Sequence, residues 1–359
     1  MAKTILVVDD SALIRKQLGN VLDKAGYDVG FANNGIDAIE FVKSFDFDAI
    51  TMDINMPVMD GLTAVKEIMR IKPTPILMVS SLTSDDADIT FDCLDAGAVD
   101  FILKPGTITL RIEESELEIL AKVKAVASLP KNSLHIKKQA NARKIILNKK
   151  AHSIHEEAMQ RDAHVEHIVL IGSSTGGPTL IEKIISSLPD NYPFPVMIVQ
   201  HMPDNFTAGF AKRLNNYTNL EVIESKNAQI IKNGQVVIAN GGKHLTIAKK
   251  SSGVYIMRHK DKNERFFTPS VDELFLSAAK YMDSSKILAV ELTGIGDDGA
   301  EGMLELRGKG AYTLAEDEST AVVYGMPKSC WENGGAMKKL PFPIIVNEII
   351  NFPKMVLKK

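Results

Sequence analysis

The stretch Thr4-Ile5-Leu6-Val7-Val8-Asp9-Asp10 begins a regular alternation of short apolar runs and helical patterns. The apolar runs lie at 4–8, 27–32, 48–52, 75–79 and 99–103. The helical patterns lie at 12–25, 35–44, 62–71, 85–96 and 110–128. Five strands alternating with five helices imply a parallel sheet covered by helices on both faces. Residues 1–125 are therefore predicted to form a doubly wound α/β domain.

A second α/β pattern begins at His167. Its strand-like runs lie at 168–172, 196–200, 220–224, 235–239 and 287–292, with a helical pattern at 178–188. Residues 245–257 are typical of a β-hairpin, with Ser251-Ser252-Gly253 as its turn. Residues 164–355 are therefore predicted to form a larger doubly wound parallel-sheet domain that carries a hairpin.

A basic segment separates the two patterns. Residues 119–155 contain no Asp or Glu but nine Lys or Arg residues, and their later part lacks an apolar period. We therefore predict a basic linker at 126–163. Its expected role is a solvated connector, and the alternative is contact with an acidic partner surface or with membrane headgroups.

The composition excludes several classes of protein. A length of 359 residues suggests two domains, and a net charge of only -3 lacks the electrostatic footprint of a nucleic-acid binder. Cys93 and Cys330 lie far apart and fit neither a metal motif nor a disulfide framework. The apolar run at the N-terminus is too short for a signal peptide, and no run is long enough to span a membrane. We expect a cytoplasmic protein without membrane insertion.

Polar groups follow the strands of the first domain. Asp9 and Asp10 end the first strand and Asp53 ends the third, so their carboxylates should converge at one edge of the sheet. Such convergence is costly without a cation, and hard oxygen ligands suit Mg²⁺. Ser80 and Lys104 follow the fourth and fifth strands, where a hydroxyl and an ammonium suit the oxygens of a phosphoryl group on Asp53. Each acid alone could be a turn residue or a helix cap.

Three segments of this domain resemble the response-regulator receiver family. They are Val7-Val8-Asp9-Asp10-Ser11, the run from Met52 to Gly61, and Leu103-Lys104-Pro105. The resemblance covers residues 1 to about 125 and implies a five-stranded flavodoxin-like fold.

The receiver resemblance also implies a set of functional residues. Asp53 would be phosphorylated by a histidine kinase. Mg²⁺ would be held by Asp10, Asp53 and the backbone carbonyl of Asn55, with Asp9 in support. Ser80 and Phe101 match the switch positions of the family, and Lys104 would accompany them.

The second domain opens with a nucleophile pattern. The strand Ile168–Ile171 is followed by Gly172-Ser173-Ser174-Thr175-Gly176-Gly177-Pro178, which predicts a tight turn and then a helix. Gly172-x-Ser174-x-Gly176 fits a nucleophile elbow, and the helix N-terminus supplies N–H groups for an oxyanion. The same loop could instead cradle a phosphate or cap a helix.

A nucleophilic serine needs a base, and the position of His201 fits that role best. His201 directly follows the strand 196–200, so it lies at the same sheet edge as Ser174. His244, in the predicted turn 240–244, is the rival. The remaining histidines are expected in the linker, before the first strand of the domain or after the hairpin; they are His135, His152, His155, His164, His167 and His259.

The acid that orients the base should also lie at a strand end. Asp297 and Asp298 both follow the strand-like run 288–293, inside the loop Gly294–Gly299. The pattern does not choose between them. Backbone N–H groups of this loop could help to hold an oxyanion. The alternatives are a plain glycine-rich connection or a Ca²⁺ turn, although the loop lacks the spaced oxygen ligands of a calcium site.

Five segments together resemble the catalytic domain of the CheB family of chemotaxis protein-glutamate methylesterases. They are 171–178, Gln200-His201-Met202-Pro203 with Phe206-Thr207, 269–272, 293–299 and 324–327. The resemblance runs from about 166 to 353. It implies that Ser174 is the nucleophile, His201 the base and Asp298 the orienting acid, with Thr175 and Ile295 in the oxyanion and substrate loops.

Three residues depart from the family pattern. Ile295 stands where Met is usual, Asn240 stands where Pro is usual, and Asp297 adds a charge next to Asp298. None of these departures removes a catalytic group, so the expectation of activity stands.

The resemblance implies a phosphorylation-controlled enzyme of chemotaxis adaptation. Its substrates would be glutamate methyl esters on the cytoplasmic helices of chemoreceptors, with glutamine deamidation as a further activity. Hydrolysis would need no cofactor, and the receiver would cover the active-site face until Asp53 is phosphorylated. A non-catalytic regulator is the alternative. A DNA-binding output domain is a third possibility, but the sequence after the linker contains no helix-turn-helix pattern.

Overall fold

The computed structural model describes residues 2–81, 84–104, 112–129 and 164–357. The chain divides into two compact units, Met1–Ala140 and Asn141–Lys359, which are described separately below. Most of the predicted linker, from residue 130 to residue 163, lies outside the described residues. The linker and the domain boundaries therefore stay predictions.

The first unit is built on one parallel sheet. Its strands are β1 (Thr4–Val8), β2 (Asp28–Ala32), β3 (Ala49–Asp53), β4 (Ile76–Ser80) and β5 (Asp100–Leu103). Its helices are α1 (Ala12–Lys24), α2 (Gly35–Ser44), α3 (Gly61–Ile71), α4 (Ser84–Ala96) and α5 (Ile112–Val126). The strand order is β2-β1-β3-β4-β5, and every pair is parallel. This confirms the predicted five-stranded α/β domain.

The strand order places the predicted acids at a switch point. Strands β2 and β3 lie on opposite sides of β1, so the strand order reverses at β1. The ends of β1 and β3 therefore border the crevice where parallel sheets hold ligands. Helix α3 begins close to this crevice because Gly61 has no side chain. A Cβ atom at Gly61 would lie 2.1 Å from the carbonyl oxygen of Asp53.

The second unit contains a larger parallel sheet and a separate hairpin. Its strands are β6 (Ile168–Ser173), β7 (Val196–Gln200), β8 (Glu221–Glu224), β9 (Gln235–Ile238), β10 (His244–Lys249), β11 (Tyr255–Lys260), β12 (Ile287–Glu291), β13 (Tyr312–Glu316) and β14 (Lys338–Leu340). Its helices are α6 (Gly177–Ser187), α7 (Asp204–Leu214), α8 (Val271–Tyr281), α9 (Ala300–Gly308), α10 (Met326–Glu332) and α11 (Phe342–Val356). A short 3-10 turn spans Ser284–Lys286.

The large sheet has the order β14-β13-β12-β6-β7-β9-β8, and all its strand pairs are parallel. This confirms the predicted parallel-sheet α/β domain, and the structure adds β13 and β14, which the sequence pattern did not predict. The register pairs Ser173 with Gln200 and Gly172 with Glu291. The segments after β6, β7 and β12 therefore leave the sheet side by side.

The hairpin β10–β11 is antiparallel and longer than predicted. His244 is the first residue of β10 and not part of a turn, and His259 lies inside β11 and not after the hairpin. His259 pairs with the hydroxyl of Ser225, with 2.9 Å between Nε2 and Oγ. Both positions were wrongly predicted because the ends of these strands are polar, and an apolar pattern does not detect polar strand residues.

Within the described residues, no helix combines the length and the apolar character that crossing a membrane requires.

Candidate hydrolytic and phosphoacceptor sites

The turn that carries Ser174 is fixed by its backbone. The N–H of Ser174 donates to the carbonyl of Thr293 (2.9 Å), and the N–H of Gly177 donates to the carbonyl of Ser174 (2.8 Å). Gly176 has a φ of 79°, which a residue with a side chain rarely adopts. A Cβ atom there would also lie 2.7 Å from Val322. The glycine therefore permits the sharp turn, and α6 begins directly after it.

His201 is paired with Asp298, at 2.7 Å between Nε2 of the ring and Oδ2 of the carboxylate. Its other ring nitrogen, Nδ1, is buried and has no hydrogen-bond partner among the described residues. Nδ1 is thus the ring nitrogen that remains unbonded, and it makes no hydrogen bond to Ser174. The rival His244 instead uses its Nδ1 to accept the N–H of Ser270 (3.1 Å).

Asp298 is held by the N-terminus of α8. Its Oδ1 accepts the hydroxyl of Ser270 (2.7 Å) and the N–H of Asp272 (3.1 Å), and its Oδ2 accepts the N–H of Val271 (2.7 Å). Burial alone would raise the pKa of Asp298, but His201 and the bonds from Ser270 and Val271 lower that pKa to about 2. The neighbouring Asp297 is exposed. The geometry therefore selects Asp298 as the partner of the histidine.

The two predicted loop residues lie in segments close to Ser174: Thr175 follows it in the turn, and Ile295 lies in the loop after β12. The carbonyl of Thr175 accepts the hydroxyl of Thr293 (2.8 Å), which ties the turn to the strand-end loop after β12. A Cβ atom at Gly294 would lie 2.9 Å from the Cβ of Ser174, so the loop that carries Ile295 passes close to the serine. The backbone N–H groups of Thr175 and Ile295 have no acceptor in the described hydrogen bonds. Neither N–H is therefore occupied by an acceptor among the described residues.

The predicted acids of the first unit do converge. Asp9, Asp10 and Asp53 offer carboxylate oxygens that all lie within 4.8 Å of one another. Nζ of Lys104 lies 3.2 Å from Oδ2 of Asp9 and 2.9 Å from Oδ2 of Asp53. Burial raises the pKa of Asp53 to about 6, with Asp9 adding to the rise and Lys104 opposing it.

Sequence comparisons place both units in known families. The profile described as "CheB methylesterase" matches residues 169–349, and the profile described as "Response regulator receiver domain" matches residues 5–113. The chain belongs to the CheB methylesterase family.

Relatives of the CheB family match nearly the whole chain. "Protein-glutamate methylesterase/protein-glutamine glutaminase 2" of Carboxydothermus hydrogenoformans is 44% identical over 96% of this chain and 98% of its own length. A protein with the same activities in its name, from Archaeoglobus fulgidus, is 40% identical over 99% of both chains. The CheB methylesterase catalytic domain of Thermotoga maritima is 39% identical and matches 53% of this chain and 100% of that domain, with a TM-score of 0.50.

The receiver site of this CheB chain fits a divalent cation. Three carboxylates outnumber the nearby cations, the ammonium of Lys104 and the guanidinium of Arg15, and such hard oxygen ligands suit Mg²⁺. The side-chain amide nitrogen of Asn55 donates to Oδ1 of Asp86 (2.6 Å), and the backbone carbonyl of Asn55 remains the predicted metal ligand.

The predicted switch residues are buried. The hydroxyl of Ser80 donates to the carbonyl of Ser81 (3.1 Å) and accepts the hydroxyl of Thr90 (3.2 Å). Phe101 meets Phe91 edge to face, with 6.5 Å between the ring centroids. Lys122 donates to the carbonyl of Phe101 (2.8 Å), which connects the switch position to α5.

Sequence reasoning missed the role of Gln200, which ties the turn that carries Ser174 to the segment of His201. Its Oε1 accepts the hydroxyl of Ser173 (2.7 Å), and its Nε2 donates to the carbonyls of Ser174 (2.9 Å) and His201 (3.1 Å). In addition, the N–H of His201 donates to the carbonyl of Ser173 (3.0 Å). A polar residue that ends an otherwise apolar strand is the signal that could have indicated this role.

Two buried glutamates beneath these loops were also missed. Glu316 accepts the N–H of Thr293 (2.9 Å), and burial raises its pKa to about 7. Glu291 is wholly buried, and neither carboxylate oxygen has a hydrogen-bond partner among the described residues. A Cβ atom at Gly172 or Gly299 would lie within 3.0 Å of its carboxylate, so both glycines make room for Glu291.

Proposed function

We propose that this chain is a phosphorylation-activated protein-glutamate methylesterase with Ser174 as nucleophile, His201 as base and Asp298 as orienting acid. The observation that carries the proposal is the 2.7 Å pair between His201 and Asp298. Three donors of the Ser270–Asp272 segment hold that acid in its ionised form. A carboxylate in this place fixes the tautomer of the ring and stabilises the imidazolium that forms during catalysis.

The proposed reaction uses these three residues in the order of a serine hydrolase. Oγ of Ser174 attacks the ester carbonyl while Nδ1 of His201 takes its proton, and the backbone N–H groups of Thr175 and Ile295 stabilise the oxyanion. The tetrahedral intermediate expels methoxide, which takes the proton from His201 and leaves as methanol. Water, deprotonated by His201, then cleaves the acyl-enzyme to glutamate and restores Ser174.

The proposed substrates are methylated glutamates on the cytoplasmic domains of methyl-accepting chemoreceptors, in the service of chemotaxis adaptation. The names of the relatives include glutaminase activity, which the same attack on a primary amide would supply with ammonia as the leaving group. We propose a cytoplasmic location, because both the receptor segments and the phosphodonor would be found there. We also propose no nucleic-acid partner and no direct insertion into a membrane.

The receiver unit is proposed to control the esterase. Asp53 would accept a phosphoryl group from the histidine kinase of the chemotaxis system. Bound Mg²⁺ would neutralise the carboxylates of Asp9, Asp10 and Asp53 and the incoming phosphoryl oxygens. Lys104, which already lies 2.9 Å from Asp53, would bind one phosphoryl oxygen and Ser80 another. The unphosphorylated receiver would cover the active-site face.

The test is methanol release from methylated chemoreceptor membranes. Ser174→Ala should reduce kcat by a factor on the order of 10⁶, as in a protease precedent. Ser187→Ala, an exposed serine on α6, is the matched control and should retain full activity. A fluorophosphonate should label the wild type and the control but not Ser174→Ala. A non-catalytic regulator would release no methanol and would not be labelled.

A further inference from the structure

The segment between β11 and α8 is anchored beside the catalytic residues. The guanidinium of Arg265 bonds Asp272 (2.9 Å) and Glu301 (2.8 Å). The side-chain amide of Asn263 donates to Glu273 (2.7 Å), and its own oxygen accepts the N–H of Arg265 (3.0 Å). The residues that follow Arg265 are therefore held in place from two helices.

The anchored segment presents two aromatic rings. Phe267 stacks face to face on His201, with 4.0 Å between the ring centroids and 18° between the ring planes. Phe266 meets Phe267 edge to face, with 4.8 Å between centroids and 82° between planes. Phe266 is 56% exposed, whereas His201 is buried. One face of the imidazole is thus covered by an aromatic face.

We propose that Phe267 is a positioning residue that stabilises the cationic form of His201 through its π face. The proposal rests on the proposed function, in which His201 becomes an imidazolium after it takes the Ser174 proton. A cation over an aromatic face within about 6 Å of the centroid is attracted by the negative face of the ring. The stack also restricts the ring to the plane in which Nε2 meets Asp298 and Nδ1 stays free.

The two effects of the stack are separable by chemistry. Fluorination of the Phe267 ring keeps its shape but withdraws electron density from its face, so it weakens the attraction for a cation and leaves the packing nearly unchanged. Phe267→Tyr keeps an aromatic face, whereas Phe267→Leu removes it. The charged groups around the site, namely Asp298 with Arg265 and Asp272 behind it, are unchanged in all these variants.

The first readout is independent of turnover. In the full chain with ¹³C-labelled histidine, the NMR titration midpoint of the His201 ring should fall by about half a pH unit in Phe267→Leu and with pentafluorophenylalanine at 267. Phe267→Tyr should stay close to the wild type. An unchanged midpoint in both the Leu and the fluorinated proteins overturns the proposal, whether or not the chain hydrolyses esters.

The second readout is methanol release. We expect kcat to fall roughly threefold with the fluorinated ring and further in Phe267→Leu, with little change in KM and recovery in Phe267→Tyr. Phe266→Leu removes a ring from the same segment without uncovering His201, so its kcat should match the wild type. Equal losses of kcat in Phe266→Leu and Phe267→Leu would overturn the proposal. A wild type that releases no methanol would refute the proposed function and leave the NMR result to decide the role of Phe267.

Discussion

At the scale of single residues, Asp297 and Asp298 differ in what they touch. The carboxylate of Asp298 forms a hydrogen bond with the ring of His201, whereas the neighbouring Asp297 is exposed. Asp298→Asn should lower kcat by about 10⁴, as the equivalent change does in a protease precedent, because an amide would favour the wrong tautomer of the histidine. Asp297→Asn is the matched control and should change kcat little. Methanol release by the two variants decides between them, and a reversed result would exchange their roles.

The buried carboxyl of Glu291 should make stability depend on pH. Burial, then the charges of Asp298 and Asp272, raise the pKa of Glu291 well above its ordinary 4.5. Above pH 4.5 the unfolded chain releases this proton while the folded chain keeps it, so stability is lost as the pH rises. Glu291→Gln should therefore become more stable than the wild type by up to about 1.4 kcal/mol per pH unit above 4.5.

Denaturant unfolding of Glu291→Gln between pH 4 and pH 8 would measure this difference. The exposed Glu305 of α9, which pairs with Lys309, supplies the control variant Glu305→Gln, for which no comparable slope is expected. A Glu291→Gln protein whose advantage does not grow with pH would show that the buried carboxyl is not neutral in the folded chain.

At the scale of elements, the N-terminus of α8 holds Asp298, the proposed orienting acid. The Val271→Pro variant would remove the N–H that Asp298 accepts at 2.7 Å. Proline is tolerated at the first position of a helix, and the extended backbone of Ser270 (φ -108°, ψ 137°) suits a residue before proline. A hydrogen bond to a charged group is worth about 1.5–3 kcal/mol, so kcat should fall at least tenfold.

Val271→Ala is the reference for this change, because it trims the side chain but keeps the N–H. Circular dichroism and thermal unfolding would confirm that both variants fold. Equal kcat values for Val271→Pro and Val271→Ala would show that the helix terminus does not support Asp298.

The sequence predicted the elements that carry clear apolar runs and missed those that do not. Strand β14 is only Lys338–Leu340 and contains two lysines, so it has no apolar run to find. Local sequence patterns could not distinguish Asp298 from Asp297, because the hydrogen-bond donors that hold Asp298 lie 26 to 28 residues earlier in the chain. Gln200 and Phe267 were missed for the same reason, since their roles depend on contacts across the fold.

At the scale of the whole molecule, phosphorylation should control hydrolysis. Acetyl phosphate with Mg²⁺ should phosphorylate Asp53 and raise methanol release, because a phosphoryl group adds roughly -1.5 to -2 charge beside Lys104 and Ser80. Asp53→Asn should abolish this stimulation. Stimulation that survives in Asp53→Asn would exclude Asp53 as the phosphoacceptor.

A shortened chain that begins near residue 160 should release methanol without a phosphodonor. The Thermotoga maritima relative is known as a catalytic domain alone, which supports the design. The linker would otherwise keep the receiver at high local concentration next to the esterase. A shortened chain no more active than the unphosphorylated full chain would rule out inhibition by the receiver.

The orientation of the His201 ring has a consequence for covalent inhibitors. In the serine-protease arrangement Nε2 of the histidine faces the nucleophile, whereas here Nε2 lies against Asp298 and Nδ1 is the unbonded nitrogen. A substrate-like chloromethyl ketone, which alkylates the ring nitrogen that the acid does not occupy, should therefore give the Nδ1 regioisomer in this enzyme. Compounds shaped for that geometry would discriminate between this esterase and the proteases that share its three residue types.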